Sequence, residues 1–87
     1  MYDITNYSMH RAKQRGLEIH PSHKLHKKLD VYKHGVYVTS VGDNRYSDYP
    51  TYIREKGKKY ADERRRLYHE RHPQHTVRED LARWLLW

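Results

Sequence analysis

Lys27-Lys28-Leu29-Asp30-Val31-Tyr32-Lys33-His34-Gly35-Val36-Tyr37-Val38-Thr39-Ser40-Val41-Gly42 is the stretch that decides the fold. Leu29, Val31 and Tyr32 lie before a break at His34-Gly35, and Val36, Tyr37, Val38, Thr39 and Val41 lie after it. These are strand-favouring residue types. A Gly between two such runs supplies the positive φ of a tight turn, so residues 27–42 are predicted to form a β-hairpin. A lone two-stranded hairpin is marginal in water and has to pack on something.

Downstream, residues 42–49 are loop by composition, and Pro50 suits the first turn of a helix with Asp48 or Tyr49 near its cap. One long basic helix is predicted from Pro50 to about Arg71. Its Ile53, Tyr60 and Leu67, and also its Ala61 and Tyr68, recur at seven-residue spacing and so share a face. Gly57 lies inside this helix as a point of bending or close backbone contact, and Pro73 ends it. Thr76 to Trp87 is predicted as a short C-terminal helix. Thr76 and Glu79 have capping-box spacing, and Val77, Leu81, Trp84 and Leu85 form one stripe.

Upstream, residues 1–26 hold few core candidates: Ile4, Met9, Leu17, Ile19 and Leu25, with no sustained period. Met9 to Gln14 has room for a helical turn or two before Gly16. This stretch is expected to be an extended arm, disordered in isolation and ordered by a partner. The fold class is therefore α+β. An extended arm (1–26) precedes a small domain (27–87) of hairpin, long basic helix and short C-terminal helix.

Composition narrows the function. The chain has 87 residues, a formal net charge of +7, nine Tyr, two Trp and neither Phe nor Cys. One domain with a modest core is the most it can build. Without Cys there is neither a disulfide nor a thiolate metal site. The charge calls for an acidic partner: nucleic acid, an anionic surface or an acidic protein. No run approaches the roughly 18 apolar residues of a membrane span, and Met-Tyr-Asp-Ile-Thr-Asn carries no apolar signal-peptide core.

The candidate sites are of three kinds. Arg54, Lys58, Lys59, Arg64, Arg65, Arg66 and Arg71 on the long helix are candidates for an anionic partner, because Arg and Lys neutralise phosphates without reading sequence. The alternative is a solvated face with ion pairs such as Glu55–Lys59 and Asp62–Arg66. Arg64-Arg65-Arg66 spans about 200° of helix surface, so at least one of the three is expected to point at protein. Trp84, Leu86 and Trp87, with Tyr49 and Tyr52, are candidates for contact with a protein partner, since Trp and Tyr are frequent interface anchors. Trp84 and Leu85 can equally close the domain's own core. Two histidine triplets, His20/His23/His26 and His69/His72/His75, have the residue type of a metal site. Pro21 and Pro73 interrupt them, and no metal or other cofactor is expected. No nucleophile elbow, phosphate-cradling glycine loop or carboxylate cluster is visible, so the chain reads as a binding or assembly module, not an enzyme, with no small-molecule substrate.

Val41-Gly42-Asp43, then Asp48-Tyr49-Pro50-Thr51-Tyr52-Ile53, Gly57-Lys58 and Tyr60-Ala61-Asp62-Glu63-Arg64-Arg65-Arg66-Leu67-Tyr68 follow the hairpin in that order. Arg71-His72 and a terminal Arg83-Trp84-Leu85-Leu86-Trp87 complete the pattern. Over residues 29–87 this resembles a family of small basic proteins, of uncharacterised function, encoded by large double-stranded DNA viruses of algae and protists. The stretch between His72 and Ala82 is shorter and less Gly-rich than in that family. The resemblance supplies no catalytic residues. It implies a viral setting: a minor capsid-associated, cement-like structural protein of the virion that binds larger virion proteins and passes through the host cytoplasm or nucleus during assembly. The alternative is a nucleic-acid-binding protein, without sequence preference, that uses the Arg-rich helix. A third reading is a host-interaction factor.

Overall fold

A computed structural model describes residues 2–72 and 76–87 of the chain. Among them, helix α1 (Asn6–Gln14) is followed by strands β1 (Glu18–Pro21), β2 (Lys27–Lys33) and β3 (Val36–Asp43). Helices α2 (Tyr49–Lys56), α3 (Lys58–Arg71) and α4 (Val77–Leu86) complete the fold. The fold is α+β, with one antiparallel sheet in the order β1-β2-β3.

The hairpin forms as its residue types dictate. His34 and Gly35 both take positive φ, 52° and 76°, the mirror-image turn that matches strand twist. Leu29 pairs with Val41, and Ile19 on β1 pairs with Val31. All four side chains are buried, and Ala12 of α1 with Leu81, Leu85 and Leu86 of α4 closes the core over them. The tip of the hairpin extends beyond this core, and Val36 and Val38 are exposed.

The stretch expected to be an extended arm folds into the domain instead. Thr5 caps α1 by accepting from the Ser8 amide. Ser8 is fully buried, and its hydroxyl donates to the Leu85 carbonyl at 2.7 Å. Small residues at Ser8 and Ala12 let α1 lie close against α4. Pro21 falls at the end of β1 on the sheet edge, where a missing N–H is tolerated. Ahead of α1, the Tyr2 hydroxyl donates to Asp48 at 2.6 Å.

The single long helix expected from Pro50 is two helices. Gly57 has φ 90° and ψ 164°, outside the helical region, and turns the chain between α2 and α3. Asp48 caps α2, accepting from the Thr51 amide at 3.1 Å, with Pro50 in the first turn as anticipated. Because the axis breaks at Gly57, the Ile53/Tyr60 face does not become core, and both residues stay exposed. The buried positions here are Tyr49 and Ala61. Thr76 caps α4 through the Glu79 amide, and Leu81, Leu85 and Leu86 supply its buried face, while Val77 is exposed.

A buried ion pair ties these elements together. Lys28 Nζ donates to Asp48 Oδ2 at 2.9 Å, and both side chains are almost fully shielded. Burial alone would raise the Asp48 carboxyl. The Lys28 charge, with hydrogen bonds from Thr51, Tyr2 and Lys28, overcomes this and holds it below the ordinary carboxylate range. The same burial and the Asp48 charge push the Tyr2 phenol well above its ordinary value.

Candidate nucleic-acid interface

The consecutive arginines of α3 go three ways, as helical geometry requires. Arg66 stays on the solvated face, bonded to Glu63 and Glu70 at 2.6 and 2.7 Å. Arg65 turns inward: its guanidinium lies 3.6 Å from the Tyr49 ring centroid, and its Nε donates to the Trp87 carbonyl at 2.7 Å. Arg64 lies over Tyr52, at 5.6 Å from the centroid, and faces a groove.

This groove, about 570 Å³ in volume, runs between α2–α3, α4 and the open end of β2–β3. One wall is a ladder of rings. Tyr60 meets Tyr52 at 5.4 Å, and Tyr52 meets Trp87 at 6.1 Å. Trp87 then stacks on Tyr68 and Tyr68 on His72, both at 4.4 Å and with interplanar angles of 10° and 21°. Inner rings are spent on one another and stiffen the wall. Of the exposed rings, His72 at one end of the ladder and Tyr46, 70% exposed on the loop after β3, line the groove, while Tyr60 at the other end of the ladder does not.

The charge lining the groove is mainly positive. Arg64, Arg71, Arg78 and Lys27 line it, and none of them forms an ion pair among the described residues. Of the acids that line it, Asp43 is occupied by Arg45, whose hydrogen bonds hold the carboxyl far below its ordinary range. Glu79 is the other.

The fold therefore gathers Tyr52, Arg64, Arg71 and Trp87, from both sets of residues singled out in the sequence, into one place, with Leu86 on the groove floor. Leu86 is buried, and so is Tyr49, whose hydroxyl donates to Asp62 at 2.7 Å; neither side chain is free to meet a protein partner. Trp84 is half-buried against α1, with its Nε1 donating to the Arg11 carbonyl at 2.7 Å. Lys58 pairs with Asp62 at 2.8 Å. Arg54 and Lys59 are exposed and outside the groove. Ion pairing on α3 runs Lys58–Asp62, Glu63–Arg66 and Arg66–Glu70, in place of the expected Glu55–Lys59 and Asp62–Arg66.

Tyr46, Lys27 and Arg78 are groove residues that the sequence did not single out, and His72 was singled out only for its metal-ligand residue type. The available signal for Tyr46 is an aromatic residue stranded in a polar loop. Lys27 and Arg78 carry none, because their neighbours come from distant segments.

Among the described residues, no group of three His, Asp or Glu is placed to hold a metal ion. His20 packs edge-on against Tyr32 and His72 lies on Tyr68, while His75 lies outside the described residues. No helix among the described residues is long and apolar enough to cross a membrane. No protein-family model, no curated protein and no solved structure matches the chain.

Proposed function

We propose that the protein binds single-stranded nucleic acid in this groove, without reading its sequence. The observation that carries the proposal is the juxtaposition of Arg64, Arg71 and Arg78, which form no ion pair among the described residues, with an aromatic wall that ends in the exposed His72 ring and faces the exposed Tyr46. Basic side chains track a phosphate backbone, and bases stack on aromatic rings whatever their identity. Splayed bases reach Tyr46 and His72, whereas bases stacked inside a duplex do not. Two features that pointed to a cement-like role are used inside the domain: residues 6–21 form core elements, and Leu86 is buried. In the viral setting that the resemblance implies, the ligand would be the viral genome or its transcripts; the chemistry does not depend on that setting.

Fluorescence anisotropy with a labelled oligonucleotide, single-stranded or annealed to its complement, tests this. The single strand should bind more tightly, with indifference to sequence. Equal or tighter binding of the duplex would contradict the stacking part. Binding of neither form at low salt would return the protein to the assembly reading.

A further inference from the structure

Trp87 also lines a second, smaller cleft of about 290 Å³, on which arginines from three helical segments converge. Arg11 comes from α1 and Arg15 from its C-terminal cap, Arg65 and His69 from α3, and Arg83 from α4. Arg11 and Arg15 both lie over Trp84, at 4.0 and 4.1 Å from its ring centroid. Like charges four apart on a helix repel each other, and Arg65 adds a third from a neighbouring helix. Arg15 pairs with Asp80 at 2.9 Å.

The protein uses only part of this donor capacity. A guanidinium has five N–H donors in a planar fork. Arg11 gives its Nε to the Trp84 carbonyl, and Arg65 gives Nε to Trp87 and one terminal nitrogen to the Tyr7 hydroxyl. The remaining N–H groups of Arg11 and Arg15 reach the cleft from α1 and its C-terminal cap, and those of Arg65 from α3. His69 also lines the cleft, and its Nε2 is shielded from solvent without a hydrogen-bond partner among the described residues. A shielded polar atom of this kind is costly unless something meets it.

We infer that this cleft is a phosphate site, taking inorganic phosphate or a phosphomonoester. Guanidinium forks arriving from several sides match a group with three or four equivalent oxygens; a carboxylate would occupy one fork only. The trimming of donors by backbone carbonyls fixes the orientation of Arg11 and Arg65, so the site is largely pre-organised. Burial, then the charges of Arg83 and Arg65, hold the His69 imidazole below its ordinary value. The charged groups that line the cleft with His69 are Arg11 from α1, Arg15 from its C-terminal cap, Arg83 from α4 and Arg65 on its own helix, with Asp80 of α4 paired to Arg15. A bound dianion would oppose the cations among them and raise the His69 pKa. The site does not depend on the groove's ligand, because phosphate alone is the probe.

The test is an NMR titration of the full chain with inorganic phosphate at constant ionic strength, with chloride as the control, following the His69 ring. Saturable binding with an upward move of the His69 pKa is expected. Arg15→Gln, at the partly exposed rim, should keep the parent's amide spectrum and weaken phosphate about tenfold, the loss of one charge-assisted contact. A His69 pKa that phosphate moves no more than chloride would overturn the site, as would an Arg15→Gln protein that binds phosphate like the parent. A further arm separates the sources by comparing an oligonucleotide with and without a 5′-phosphate. Tighter binding of the phosphorylated strand, abolished by Arg15→Gln, assigns the site to strand ends. Phosphate binding without that preference assigns it to free phosphate.

Discussion

Replacing Asp48 with Ala removes three things at once: the cap of α2, the acceptor of the Tyr2 hydroxyl and the counter-charge of Lys28. Loss of an N-cap costs about 1 kcal/mol. Leaving a buried charge without its partner costs about 3–5 kcal/mol. These terms overlap, because Lys28 can shed its proton or shift towards water, so a total of about 3–5 kcal/mol is expected. Small domains have roughly 5 kcal/mol of stability at the low end, so the variant should be close to unfolded at room temperature. Urea titration followed by tryptophan fluorescence measures the loss as a lowered midpoint at unchanged slope. Lys28→Met combined with Asp48→Asn should recover most of it, since Asn keeps the cap and Met fills the aliphatic stem without a charge to bury. An Asp48→Ala protein within about 0.5 kcal/mol of the parent, the scatter of a surface change, would refute the assignment of this network to the core.

The pH dependence follows from the same group: with its folded-state pKa depressed, Asp48 contributes stability above its unfolded value of about 3.9, and that contribution is lost as pH falls through the folded value. Urea midpoints between neutral pH and the acid limb should therefore fall less steeply in the Lys28→Met/Asp48→Asn pair than in the parent. Gly42→Ala should be severely destabilising, because a Cβ there meets Leu86 Cδ1 at 2.6 Å and Lys28 at 3.1 Å, with φ at 83°; a thermal melt that matches the parent would show that α4 does not press on β3. Trp84→Ala should cost about 3 kcal/mol, the low end for an aromatic side chain, by releasing α1 from α4, and protection of α1 amides from hydrogen exchange should fall before that of the sheet.

The hairpin was legible because strand-favouring residues flank a His-Gly turn, and α4 because Thr76 and Glu79 mark its start. The cap at Asp48 with Pro50 was legible for the same local reason. The N-terminal elements were not. The inward face of α1 is built from buried Ser8 and Ala12 with Arg11 beside them rather than from large aliphatic residues, and it packs through a hydrogen bond and a guanidinium over Trp84. β1 has four residues, one of them Pro21, and only Ile19 buried. Seven-residue spacing misplaced Ile53 and Tyr60, because that spacing assumes one axis and Gly57 breaks it. In the groove, Arg64, Arg71, Tyr52 and Trp87 were visible as residue types that bind, but their convergence was not. Lys27 and the Tyr46 loop meet because Lys27 pairs with Asp43 across the hairpin, and Arg78, tens of residues further on, joins them only when α4 closes over the sheet.

The most direct test of the groove is the salt dependence of single-strand binding. Each phosphate neutralised contributes about 0.7 to the slope of log affinity against log salt. Removing Arg64 and Arg71 together, as the Arg64→Gln/Arg71→Gln protein, should flatten the slope by about 1.4 and weaken binding at low salt. The parallel Arg66→Gln/Lys58→Gln protein, whose cations are held in ion pairs on the solvated face, should keep the parent's slope. If the two double variants flatten the slope equally, the groove has no special part in binding, and the account of the interface is contradicted.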